Sequence, residues 1–187
     1  MRTLEQHITQ YAAYHRDRRN IATHFVGVPM IVFSVLLALV PFTYGGVNIA
    51  LIALTIAALY YLYLDRVLGT AMLMALFIGY LIAIYLNARI GNVDIVVGTA
   101  AALFVIGWII QFVGHRYEGI KPAFINDIGG LIIGPLFVMA EVFFKLGLKR
   151  NLQTYVEDRV GPTLAARNGA PIGPVADRDH TARQSQA

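Results

Sequence analysis

The sequence predicts an all-α integral membrane protein with about four transmembrane helices. Hydrophobic residues make up 57% of the 187-residue chain and charged residues only 14%, against roughly 25% charged in soluble domains. The charges are also clustered, since no Asp, Glu, Lys or Arg lies between Phe25 and Leu64. A soluble protein of this length cannot bury such a stretch in one core. The net charge of +4 comes from basic residues beside apolar runs, which indicates membrane flanks rather than nucleic-acid binding.

Each predicted element follows from the spacing of its apolar residues. Leu4, Ile8, Tyr11 and Tyr14 recur at three- and four-residue steps, which predicts an amphipathic helix over residues 3–19. Asn20 is a plausible N-cap for the next helix. Uncharged runs of about 18–20 residues then match a ~30 Å hydrocarbon layer. They predict four spans, at residues 25–42, 47–64, 67–86 and 95–114.

A fifth apolar segment, residues 128–148, differs from the four spans. Glycines and Pro135 interrupt it, and it carries Glu141 and Lys145, so we expect it to be bent, re-entrant or interfacial. Beyond residue 160 no hydrophobic periodicity remains. We therefore expect residues 1–160 to form a single membrane-embedded domain and residues 161–187 to form a disordered tail. The Lys and Arg residues of the loops favour both termini being cytoplasmic.

Three histidines fall on one membrane face if four helices cross. His15 precedes the first span, His24 stands at its entrance, and His115 stands at the exit of the fourth. On one straight helix, His15 and His24 would be half a turn out of phase and ~13.5 Å apart along the axis. They can share a metal only if the chain turns between them, and Asn20 is a credible place for that turn. The plainer interpretation is that each histidine is an isolated polar group at the interface.

Carboxylates near these histidines add to the candidate site. Gln111, His115 and Glu118 follow i, i+4, i+7 spacing and share one face if the helix continues. Imidazoles with a nearby carboxylate suit Fe, Zn, Cu or Ni, and the chain has no cysteine for a thiolate site. Glu141 lies within an apolar stretch and is a functional candidate, although an i, i+4 pair with Lys145 would also explain it.

Together these residues resemble a known family, the membrane-bound 2-hydroxy fatty acid dioxygenases. The resemblance extends from Tyr11 to Arg150. Two departures concern the acidic residue three positions after His115 and the glycines near Asp127. The matching residues are Tyr14-His15, Asn20, His24, Gly27, Pro29, the string Gly107-Trp108-Ile109-Ile110-Gln111-Phe112-Val113-Gly114-His115, Glu118, Pro122-Ala123, Gly134-Pro135, Phe137 and Glu141.

The resemblance implies an Fe(2+) enzyme that uses O2 to shorten a 2-hydroxy fatty acid by one carbon, a step of α-oxidation. It implies that His15, His24 and His115 are the metal ligands, with the acyl chain between the spans. Glu118 or Glu141 would be a further ligand or would orient a ligand histidine, and Arg19 or Lys121 would neutralise the substrate carboxylate. Arg19 could also bind lipid phosphates or simply anchor the helix at the cytoplasmic face. The expected location is a bacterial inner membrane, or the endoplasmic reticulum in a eukaryote, with the active site facing the cytoplasm.

Two other functions are compatible with a polytopic membrane chain. A diiron membrane hydroxylase needs several histidine boxes, and this chain has five histidines and no such box. A non-enzymatic scaffold or transporter-like protein could use the broken segment 128–148 and Glu141 as a transport path. No inverted repeat supports that alternative.

Overall fold

Seven α-helices and one short hairpin make up the secondary structure of the described residues, which are 2–119 and 129–165 of a computed structural model. Strands β1 (Thr43–Tyr44) and β2 (Val47–Asn48) pair antiparallel and connect the second helix to the third. The all-α membrane class is therefore confirmed. The helices are α1 (Leu4–Ala12), α2 (Arg18–Leu39), α3 (Ile49–Leu64), α4 (Arg66–Ile90), α5 (Val93–Glu118), α6 (Gly129–Lys145) and α7 (Arg150–Val160).

Among the described residues, three helices are long and apolar enough to cross a bilayer, namely α2, α4 and α5. Helix α3 is apolar but has only 16 residues, so it is about 24 Å long against a ~30 Å hydrocarbon layer. The predicted second span therefore corresponds to a helix shorter than the bilayer core, and a count of four is reached only if the bent pair of α6 and α7 forms one span. Helices α6 and α7 together form a bent pair with an angle of 110°. The fifth segment is bent, as predicted, but the bend follows α6 at Gly147 and Lys149, which adopt positive φ angles, and not at Pro135.

The N-terminal helix is shorter than the predicted 3–19. Helix α1 ends at Ala12, and α2 begins at Arg18 with Asp17, not Asn20, as its N-cap. The Asp17 carboxylate accepts a hydrogen bond from the backbone N–H of Arg19 at 2.8 Å. The predicted turn therefore exists, but it precedes Asn20, because Asp17 caps α2 and Asn20 is already inside the helix.

Helices α2 and α5 run antiparallel and pack closely through glycines. A Cβ atom added at Gly27 would overlap the side-chain nitrogen of Gln111 and would lie 3.0 Å from the carbonyl oxygen of Gly107. A Cβ atom added at Gly107 would lie 2.7 Å from the side chain of Ile31. Small residues at such a crossing let two helix backbones approach each other in a membrane. This contact sets the register that brings the start of α2 beside the end of α5.

The packed chain continues past the predicted boundary at residue 161. The backbone N–H of Leu164 donates to the carbonyl of Arg16 at 2.8 Å, and the N–H of Arg18 donates to the carbonyl of Leu164 at 2.9 Å. The segment after α7 is thus paired with the turn between α1 and α2. The predicted tail begins too early for this reason, and residues 166–187 lie outside the described part of the chain.

Candidate metal centre

His15 and His24 meet because the chain turns between α1 and α2. The Nδ1 atom of His15 lies 2.7 Å from the carbonyl oxygen of Tyr11, and the two rings stack with centroids 4.2 Å apart. The Nδ1 atom of His24 lies 2.9 Å from the carbonyl oxygen of Asn20, one turn earlier in α2. A carbonyl oxygen only accepts hydrogen bonds, so each Nδ1 carries the proton and each Nε2 presents a lone pair.

These two lone pairs face each other. The Nε2 atoms of His15 and His24 are 3.0 Å apart, and both side chains are almost fully buried. Two acceptors at this distance repel each other unless a cation lies between them. Two nitrogens that each bind one ion at ~2.1 Å are ~3.0–3.4 Å apart for ordinary ligand angles. A backbone carbonyl that holds Nδ1–H is also a common partner of metal-binding histidines, so the pair fits a shared metal ion.

His115 joins the pair from α5. Its ring centroid lies 4.9 Å from that of His15 and 5.2 Å from that of His24. One ligand nitrogen from each of the three histidines lies within 4.8 Å of the others. The Nδ1 atom of His115 is buried and has no hydrogen-bond partner among the described residues. The structure therefore brings the three predicted histidines together, and the Nδ1 atom of His115 stays without a partner among the described residues.

The surroundings of His15 favour its neutral form. Burial lowers the pKa of His15 well below its ordinary value, and the charges of His24 and His115 would lower that pKa further. A neutral imidazole is the form that binds a metal ion. His15 therefore presents its Nε2 lone pair at neutral pH without first losing a proton.

Glu118 supports the turn that carries His15. Its Oε1 accepts the backbone N–H of Arg16 at 2.9 Å, and its Oε2 accepts the N–H of Asp17 at 2.9 Å and the side-chain amide of Asn20 at 3.0 Å. Both carboxylate oxygens are thus used to hold backbone and side-chain donors next to a histidine. The predicted shared face of Gln111, His115 and Glu118 is confirmed, since all three are buried on α5.

Arg16 is a buried residue that the sequence interpretation missed. Its guanidinium donates to the carbonyl oxygens of Ala12 and His15 at 3.0 Å each and to that of Gly161 at 2.9 Å. It also lies 3.7 Å from the carboxylate of Glu141. The sequence pattern indicates membrane-flanking charges for the basic residues that precede the first span. Spacing was the one indication of its burial in the sequence, because Arg16 continues the i, i+4 series of Leu4, Ile8 and Ala12, all of which are buried.

Glu141 lies in α6 and is 8% exposed. Its ion pair is with Arg16, on the segment before α2, and not with Lys145 as the plainer interpretation held. The ammonium of Lys145 lies 3.8 Å from the centre of the Phe25 ring instead. Glu141 therefore connects α6 to the segment that carries His15.

Of the two predicted cationic residues, Arg19 lies in the described part of the chain, and its side chain points away from the histidine cluster. The Arg19 side chain is 47% exposed and pairs with the Asp17 carboxylate at 2.8 Å. Its guanidinium also lies 4.7 Å from the centre of the Tyr117 ring. Lys121 lies outside the described residues.

An apolar cleft between α2, α5 and α6 reaches the histidines. It encloses about 490 Å³, including the part that is open to the surroundings, and His24 and His115 form part of its lining. Gln111 also lines the cleft, and neither its Oε1 nor its Nε2 has a hydrogen-bond partner among the described residues. The remaining walls are mainly apolar and include Val28, Ile31, Trp108, Leu131 and Pro135.

Comparison with known proteins identifies the family of this chain. Residues 1–146 match the family model described as Mpo1-like, 2-hydroxy-palmitic acid dioxygenase Mpo1-like. The chain belongs to the Mpo1-like family. A curated relative, the 2-hydroxy-palmitic acid dioxygenase MPO1 of Saccharomyces cerevisiae, is 32% identical over 152 residues, which cover 79% of this chain and 83% of the relative. No solved structure matches the chain significantly.

The part of the chain that matches the Mpo1-like model contains every residue of the histidine cluster, together with Glu118 and Glu141. Helix α7 begins at Arg150, after the matched region. The resemblance noted from the sequence is therefore confirmed at the level of the family. The name of the yeast relative describes a dioxygenase, which is the class of enzyme to which this membrane chain is related.

Proposed function

We propose that this protein is an Fe(II)-dependent dioxygenase that converts a 2-hydroxy fatty acid and O2 into the acid one carbon shorter. The supporting relative is named for 2-hydroxy-palmitic acid. The observation that carries the proposal is the pair of facing Nε2 atoms of His15 and His24, 3.0 Å apart with both Nδ1 atoms held by carbonyl oxygens. Three buried neutral imidazoles without a cysteine suit iron among the transition metals.

The reaction balances without another redox cofactor. R–CH(OH)–COOH and O2 give R–COOH, CO2 and H2O, so the substrate supplies all four electrons that reduce O2. Iron would supply the means to bind and activate O2. We propose His15, His24 and His115 as its ligands, since each offers a buried ring nitrogen to the same point.

The carboxylates then have supporting roles. In the proposed arrangement Glu118 orients the turn that carries His15, because its two oxygens already accept three hydrogen bonds. Glu141 compensates the buried charge of Arg16. Arg19 could neutralise the substrate carboxylate only after leaving Asp17, and Lys121 remains a candidate for the same role.

The cleft is the proposed place of the acyl chain. Its walls are mainly apolar and it ends at the histidines, so a chain lying there would bring the 2-hydroxy acid head to the metal. Exposed apolar side chains at Val26, Ile109 and Leu131 border the same helices. We propose that the substrate enters from the bilayer and that the site faces the cytoplasm, where the basic loops lie.

The decisive experiment measures iron and product in one preparation. The full chain, purified without oxygen and supplied with iron, should bind about one iron per protein and convert 2-hydroxypalmitate and O2 to the acid one carbon shorter, detected by mass spectrometry. His115→Ala should lose both iron and activity. His7→Ala is the matched control, because His7 lies on α1 outside the cluster, and it should retain both.

Three results would contradict the proposal in different ways. Full iron occupancy in His115→Ala would remove this residue from the ligand set. Wild-type protein that binds no iron would favour the non-enzymatic scaffold or transporter-like alternative, since a scaffold has no need of stoichiometric iron. Iron without product would point to another substrate.

A further inference from the structure

Gln111 presents an unpaired amide at the histidine end of the cleft. It lies one turn before His115 on the same face of α5, and the residue is only 4% exposed. Both its carbonyl oxygen and its amide nitrogen lack a hydrogen-bond partner among the described residues. A buried polar group without a partner lowers stability, so an unpaired donor and acceptor in one side chain require an explanation.

Packing alone does not provide that explanation. Glutamine can join two membrane helices by a hydrogen bond across their interface, and Gln111 does lie against α2, since a Cβ atom at Gly27 would overlap its amide nitrogen. Yet no group of α2 within the described residues bonds to either atom of the amide. Gly27 thus leaves room for the Gln111 side chain without pairing it, and the cleft is the direction from which a partner can come.

A 2-hydroxy acid offers the two groups that this amide lacks. The amide N–H donates and the amide oxygen accepts, whereas the acid carries a carboxylate that accepts and, on the adjacent carbon, a hydroxyl that donates. A fatty acid without the hydroxyl offers only acceptors and would leave the amide oxygen unpaired. A site built to bond a hydroxyl discriminates strongly against an analogue that lacks it.

We propose that Gln111 determines specificity for 2-hydroxy acids by bonding the substrate carboxylate through Nε2 and the 2-hydroxyl through Oε1. This inference rests on the proposed function for its substrate class. It gives the chain a head-group recognition residue that is separate from the metal ligands and from the cations considered earlier. The apolar walls of the cleft would bind the acyl chain but would not distinguish between different polar head groups.

The test is a binding titration without oxygen, so that no turnover occurs. Trp108 is the one tryptophan of the chain and lines the cleft, so its fluorescence reports a ligand there. Iron-loaded wild-type protein in detergent should bind 2-hydroxypalmitate at least about tenfold more tightly than palmitate. Gln111→Leu should reduce that ratio by about tenfold, and Gln153→Leu on α7, outside the cleft lining, is the matched control that should leave it unchanged.

Thermal unfolding of the metal-free variants separates recognition from structural support. Gln111→Leu should be at least as stable as the wild type, because it removes two unpaired polar atoms with little change in size. If that variant is destabilised, Gln111→Met provides a more flexible replacement for the same ratio measurement. A binding ratio that stays at its wild-type value in both variants would refute the proposal, as would a wild type that binds the two acids equally.

Failure of the Gln111 proposal can be distinguished from failure of the proposed reaction. A wild type that prefers 2-hydroxypalmitate but forms no shortened acid would refute the reaction and leave the recognition by Gln111 standing. A wild type that forms the shortened acid, together with a Gln111→Leu variant of unchanged ratio, would refute the role of Gln111 alone.

Discussion

Replacing Glu118 with glutamine perturbs the support of the histidine cluster and leaves its ligands in place. The Glu118 carboxylate accepts three hydrogen bonds, from the N–H groups of Arg16 and Asp17 and from the amide of Asn20, at 2.9–3.0 Å. A glutamine has the same shape but only one acceptor oxygen. It can keep at most the two bonds that converge on Oε2, and its NH2 group would then face the N–H of Arg16.

The expected loss in the free energy of unfolding follows from these three hydrogen bonds. A hydrogen bond to a charged group contributes about 1.5–3 kcal/mol, and at least one is lost outright in Glu118→Gln. The two that remain become neutral bonds, which are weaker. We expect the free energy of unfolding to fall by about 3 kcal/mol, and the melting temperature by about 6–12 °C for a chain of this length. Because the turn carries His15, we also expect iron affinity to fall by about 10–100-fold.

Thermal unfolding of the metal-free protein and competition for iron with a chelator would measure the two effects. Asp158→Asn is the matched control, because Asp158 is exposed on α7 and its replacement should cost at most about 0.5 kcal/mol. A Glu118→Gln protein with wild-type stability and wild-type iron affinity would refute the assignment of Glu118 as the residue that holds the turn.

Three further perturbations test the packing and electrostatics around the cluster. Gly27→Ala should lower the free energy of unfolding by about 1–3 kcal/mol in thermal unfolding, since its Cβ would press on the facing helix, whereas Gly98→Ala, with nothing within 4 Å, should be neutral or stabilising. Arg16→Met should cost about 3–5 kcal/mol in the same assay, because it leaves the buried Glu141 carboxylate without its cation. A loss within about 0.5 kcal/mol of zero, the range of ordinary surface substitutions, would contradict the pairing. The metal-free protein should lose stability as the pH falls below about 6.5, because the pKa of buried His15 is lowered and the unfolded chain then binds the extra proton. Chemical unfolding across pH 5–8 would check this, and a stability that rises on acidification would contradict it.

The spacing of apolar residues and the even number of predicted spans were sufficient to predict most helices and the meeting of the histidines. Apolar runs locate helices because each must satisfy its own backbone in lipid, and the even number of crossings that the sequence predicts would place His24 and His115 on one face. The i, i+7 relation of Gln111 and Glu118 needed only that α5 continue to the end of the run, which it does. The positions of helices, the faces of a helix and the number of spans follow from one sequence alone, because they depend on local spacing and on the order of the segments.

The position of the turn before α2 could not be predicted in this way. Asp17 and Asn20 are both good N-caps, and the choice depends on Glu118, which is distant in sequence and binds the backbone before Arg18. The burial of Arg16 could not be established from the sequence for the same reason. In the sequence Arg16 stands beside Arg18 and Arg19, which are ordinary membrane-flanking charges. Its burial depends on Glu141 and on Gly161, which only the folded chain brings together.

The order in which the histidines occur along the chain has a consequence for biogenesis. His15 and His24 lie at the N-terminal end, whereas His115 lies near the end of α5, so a ribosome completes α3, α4 and most of α5 before the third imidazole exists. The last contact around this region comes later still, when the backbone of Leu164 pairs with that of Arg16 and Arg18. If the cluster binds the proposed metal, complete loading is therefore a late event of membrane insertion, because a chain stalled before α5 has only two of the three imidazoles.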